Sequence, residues 1–172
     1  MVLRKGDIIE MAHAWPHLRH LHITPDPIDE IAPSIGTSIA LFTTIAELFP
    51  RTLEDLGIYL RLMDDEVLDR QGIVTLPRLQ TLAVGTSPVT KLVVSTRAAF
   101  LAGICPPGVT IEAKIHSTGL IFGHPDLEQK RAAVKEVWKE IGDNVREIHD
   151  FQRPFRYQLE IAKAETVRAR LR

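Results

Sequence analysis

One recurring pattern constrains this chain more than any other feature. A proline is followed by a leucine, by a second leucine three residues later, and by a β-branched residue two after that. It runs as Pro16-His17-Leu18-Arg19-His20-Leu21-His22-Ile23, as Leu53-Glu54-Asp55-Leu56-Gly57-Ile58 with Pro50 slightly further upstream, and as Pro77-Arg78-Leu79-Gln80-Thr81-Leu82-Ala83-Val84. A worn fourth copy, Pro107 to Ile115, keeps the alternation, but its leucine spacing slips by one. The leading apolar residues Leu18, Leu53, Leu79 and Val109 stand 35, 26 and 30 residues apart. Successive side chains of a strand point to opposite faces. Leu21, Ile23, Leu56, Ile58, Leu82 and Val84 are therefore expected inside, with His20, His22, Asp55, Gly57, Thr81 and Ala83 outside.

A single strand of this kind cannot bury its own apolar side, whereas parallel copies stacked together share one core. The expected fold is α/β: a short leucine-rich-repeat solenoid, with parallel strands on a concave face, helices on a convex face and a C-terminal helical cap. The intervals lie at or above the upper end of the range usual for such repeats. Helices are expected over Asp7–Trp15, with Ile8, Met11, Ala12 and Trp15 on one face, and over Ile39–Phe49, with Leu41, Ile45, Leu48 and Phe49 inward and Thr37 or Ser38 as cap. A third, Thr96–Ile104, presents Phe100, Leu101 and Ile104. Pro16, Pro50 and Pro106 stand where a helix must give way to a strand. Two inserts, Thr24–Gly36 and Arg61–Thr75, read as surface loops and account for the long intervals.

The pattern changes after residue 123. Val134, Val137, Trp138, Ile141, Val145 and Ile148 recur at helical spacing, and a second helical stretch is expected beyond a break at Arg153-Pro154. Residues 1–123 are thus read as the repeat unit and 124–172 as C-terminal helices, a cap anchored by Trp138 followed by a charged tail.

Composition narrows the function. Twenty-one Lys and Arg against 22 Asp and Glu give a net charge of −1, which exerts no long-range pull on nucleic acid or an anionic membrane. No apolar run reaches the roughly 20 residues that cross a bilayer. The single cysteine, Cys105, fits a reducing compartment, and a cytoplasmic or nuclear location is expected.

The segments "MAHAWPHLRHLHI" (11–23), "IAELFPRTLEDLGI" (45–58), "LPRLQTLAVGTSPV" (76–89) and "AVKEVWKEI" (133–141), in that order, resemble the C-terminal region of fungal F-box proteins, notably those of mushroom-forming basidiomycetes. The resemblance spans Asp7 to Ile148. It implies the target-recognition part of a ubiquitin-ligase receptor, in which an N-terminal F-box binds a Skp-type adaptor and the repeats hold the target. The residues before Asp7 are too few for an F-box, so the adaptor is expected as a partner only if that module lies upstream.

The expected function is a protein-binding repeat module. Arg19, His20, His22, Asp55, Tyr59, Thr81 and Thr86 form the candidate concave surface for an unidentified protein target. No cofactor, metal, nucleic acid or membrane partner is expected. His13, His17, His20 and His22 lie close in sequence, but Pro16 ends the helix before His17 and no cysteine or positioned carboxylate completes a metal site. Asp64-Asp65-Glu66 with Asp69 lacks the ligand spacing and central glycine of a calcium loop. Gly85-Thr86-Ser87-Pro88 lacks the lysine of a phosphate loop and reads as a turn. Cys105 has no adjacent base and reads as a core residue. An enzyme of unknown type and a degenerate remnant without independent function are the rival readings.

Overall fold

The computed structural model of the chain describes residues 4–23, 39–60, 75–85, 87–89, 91–113 and 125–170, without the side chains of 39–40, 125–127, 156–157 and 159–170. In chain order these form α1 (Lys5–Ala14), β1 (His20–Ile23), α2 (Ile39–Leu48), β2 (Asp55–Ile58), β3 (Thr81–Ala83), α3 (Val94–Ile104) entered through a 3-10 turn, β4 (Thr110–Glu112) and α4 (Pro125–Arg170). Among the described residues the architecture is mixed α/β, with four α-helices and one four-stranded parallel sheet in the order β1-β2-β3-β4. The inserts at 24–36 and 61–74, and Thr37 and Ser38, lie outside the described residues.

Each strand is launched by the same device. The chain turns over Trp15-Pro16-His17-Leu18, Phe49-Pro50-Arg51-Thr52, Leu76-Pro77-Arg78-Leu79 and Pro106-Pro107-Gly108-Val109, with the fourth amide donating to the first carbonyl at 3.1, 3.5, 3.1 and 3.3 Å. Proline stands second in every turn, where its fixed φ suits the geometry. In the fourth turn the third residue is Gly108, with φ at 88°, the left-handed value a type II turn asks of that position. This explains the slipped spacing of the worn copy: the launching turn keeps its form, and the residue count from turn to inward side chain is one shorter than in the first and third copies.

The ladder then falls into register. Leu21 pairs with Leu56, Leu56 with Leu82, and Leu82 with Ile111. Pairing begins a residue early, since the Arg19 carbonyl accepts from the amides of Glu54 and Asp55, and the Gln80 carbonyl from that of Thr110. The inward rows meet Phe42 and Ile45 of α2 with Phe49 just after it, Phe100, Leu101 and Ile104 of α3, and Val137, Trp138, Ile141 and Val145 of α4 in one hydrophobic core. Phe42 and Phe100 approach to 6.3 Å between ring centres.

Three expectations are corrected. Trp15 is 55% exposed rather than inward, because α1 ends at Ala14 and the chain is already turning toward Pro16. Leu48 is 37% exposed, and Phe42 takes the inward place: positions 42, 45, 46 and 49 form the i, i+3, i+4, i+7 stripe that faces the core. The break at Arg153-Pro154 does not occur, as α4 runs through Pro154 as one helix. Proline removes one helical donor, but Asp150 and Pro154 are both exposed, so water can satisfy the carbonyl left open.

Candidate functional site

The parallel register that buries the leucines also aligns what they leave outside. His20, Asp55, Thr81 and Thr110 make one outward row, and His22, Gly57, Ala83 and Glu112 the next. Neighbouring strands lie about 4.8 Å apart, so the first row presents four closely spaced side chains on the face opposite the core, and the second three, with Gly57 leaving a gap. His20 Nδ1 lies 2.5 Å from Asp55 Oδ2, which makes Nδ1–H the donor and the carboxylate the acceptor. Just below this pair, Arg19 Nε stands 3.8 Å from Glu54 Oε1. In each pair the basic partner is mostly exposed and the acid partly so, so solvent screens both and each adds little stability, about 0–1 kcal/mol. Their value is in fixing which charged atoms point outward.

The second row is shallower. A Cβ added to Gly57 would lie 2.3 Å from His22 Nδ1, so the His22 imidazole lies across the glycine. Gly57 and Ala83 are buried even though they face outward, while His22 itself is exposed. Residue 57 must be small for the ring to rest there.

Of the candidate residues, His20, Asp55 and Thr81 stand side by side at the start of the first row, and Arg19, one residue earlier, pairs with Glu54. His22 lies beside them, and Tyr59, half-buried, follows β2. Thr86 lies outside the described residues. Thr110 and Glu112 extend the two rows onto β4, and the slipped spacing concealed them from the sequence reading. No known protein family, curated protein or solved structure matches the chain significantly.

The other sequence candidates occupy separate places. His13 and His17 are exposed on α1 and in the turn that follows it. Among the described residues no three histidine, cysteine or acidic side chains gather as a metal site would require. Cys105 is buried behind α3, and burial pushes its thiol up to about 12. It stays protonated at neutral pH and makes a poor nucleophile.

Ser87, from the Gly-x-Ser-Pro turn, is completely buried. Its Oγ accepts the amide of Leu60 at 2.8 Å and donates to the Val84 carbonyl, while its own carbonyl accepts Trp138 Nε1 at 2.7 Å. Gly85, at φ 54°, turns the chain to place it. Helical periodicity gave no signal for two other buried polar side chains, Arg97 on α3 and His149 on α4. His149 Nε2 donates to the Ala102 carbonyl at 3.0 Å.

Proposed function

We propose that this chain is a protein-binding repeat module. In this reading it is a short leucine-rich-repeat solenoid, and its outward rows recognise a protein partner as the target-recognition half of an F-box receptor would. One observation carries the reading: the in-register row His20–Asp55–Thr81–Thr110, ordered on the face that the core does not use. A prealigned polar row loses little conformational entropy on binding, and charged side chains at fixed spacing give selectivity and on-rate. The buried, protonated state of Cys105 gives no support to a thiol-based enzyme.

The test compares quantitative affinity capture by the unaltered chain with capture by a His20→Ala/Asp55→Ala/Thr81→Ala variant, both checked for identical melting. Proteins retained by the first and lost by the second are the expected outcome. Identical retention by both would remove the outward rows from recognition. Co-purification of a Skp-type adaptor, assayed in the same extracts with and without an F-box fused upstream, tests the ubiquitin-ligase part separately.

A further inference from the structure

We infer that His20 and His22, with Asp55 behind them, form a site for a divalent transition-metal cation on the outward face of β1. The two histidines are alternate residues of one strand, so their side chains leave the same face. Both are exposed, and two residues of strand set their Cα atoms about 6.6 Å apart. Imidazoles at that separation can converge on one cation, held about 2.0–2.1 Å from a nitrogen of each. Imidazole suits zinc, copper and nickel, whereas magnesium and calcium prefer oxygen.

Spacing alone makes a weak site, because two freely turning rings must be ordered by the cation itself. Here the sheet does part of that ordering beforehand. The parallel register sets Asp55 opposite His20, and its Oδ2 lies 2.5 Å from His20 Nδ1. A carboxylate on Nδ1–H fixes the tautomer, leaves the lone pair on Nε2 and makes that nitrogen a more basic ligand. His22 is placed by a different neighbour. A Cβ on Gly57 would lie 2.3 Å from its Nδ1, so the ring rests across the glycine. Both rings thus lean on β2 through the same nitrogen, which leaves Nε2 of each as the ligating atom. Two nitrogens are half of a tetrahedral shell, and a closed structural site takes four protein ligands. Water fills the other positions here, so the cation exchanges with solvent. Asp55 acts through His20, so no third side chain is needed on the metal. His13 and His17, on α1 and in the turn after it, share no strand face and lack this support.

Calorimetric titration of Zn2+ into the full chain at neutral pH should show one saturable site, with Mg2+ giving none. His20→Ala and His22→Ala should each weaken Zn2+ about tenfold or more, and the double variant scarcely further, because either loss leaves a single imidazole. His13→Ala/His17→Ala should leave binding unaltered. Asp55→Asn keeps the size of the side chain but withdraws its charge, and should weaken Zn2+ about tenfold at unchanged melting temperature. Long-range proton–nitrogen spectra of the imidazoles should show Zn2+ shifting Nε2 of His20 and His22, a change that a merely structural role would not produce. Full affinity in either single histidine variant or in Asp55→Asn, an equal loss in His13→Ala/His17→Ala, or shifts spread over all seven histidines would overturn the assignment. No partner protein enters the titration, so its outcome is independent of whether the outward rows bind one.

Discussion

At the β1 end of the sheet, α1 contributes one fully buried side chain, Ile8; Met11 and Ala12 pack partly, and Trp15 faces solvent. At the β4 end, α4 places Val137, Trp138, Ile141 and Val145 in the core and ties its indole to Ser87. Both ends face the same problem, since a stack of strands exposes apolar edges unless something covers them. A ten-residue helix with one anchor gives a thin cover. A long helix with four anchors gives a firm one, and stability should be graded across the sheet accordingly.

Replacing the largest anchor should have the largest effect. Trp138→Ala removes a fully buried ring and leaves the Ser87 carbonyl unanswered, and should cost about 3–5 kcal/mol in urea unfolding. An equal loss from Ile8→Ala would abolish the proposed gradient. Within the leucine row, Leu82→Ala should cost roughly 2–5 kcal/mol, and Leu21→Ala should fall in the lower half of that range. Native-state amide exchange should order the strands the same way, with β1 opening before β3. Ser87→Ala strands the Leu60 amide in the core and should cost about 1–3 kcal/mol.

Cys105 sharpens the comparison through pH. Its thiol is raised from 9.0 to about 12 in the fold. The unfolded chain therefore loses this proton first as pH rises through 9, and the folded state must hold a group that the unfolded state has ionised. The associated stability is complete below that pH and declines above it. Cys105→Ala should flatten the decline above pH 9.0, assayed by urea midpoints. An unchanged slope would show that the thiol is not the titrating group. The smallest effect belongs to the surface: His20→Ala should shift stability by no more than about 1 kcal/mol, with partner capture the property that suffers.

The core rows were legible because alternation and burial are the same fact seen from two sides: Leu21, Leu56 and Leu82 were assigned inside by period alone, and their pairing follows. The helices were legible for a similar reason, although a short apolar run does not say which of two adjacent stripes faces inward. That is how Leu48 and Phe42 exchanged roles. Proline was read as a stop signal at 16, 50 and 106, and its place as second residue of four equivalent turns emerges only from the backbone. Of the outward surface, alternation located His20, Asp55 and Thr81, but Thr110 and Glu112 were hidden by one residue of slippage.

Ser87 gives the C-terminal helix a hold on the interior of the sheet. Peeling α4 away would bare the Ser87 carbonyl and the indole nitrogen together, and would loosen the turn that presents Oγ to Leu60. The change of pattern at residue 123 therefore marks no seam along which the molecule can be cut. A chain shortened there would lose its last helix and, through one hydroxyl, the lock at the far end of its second strand.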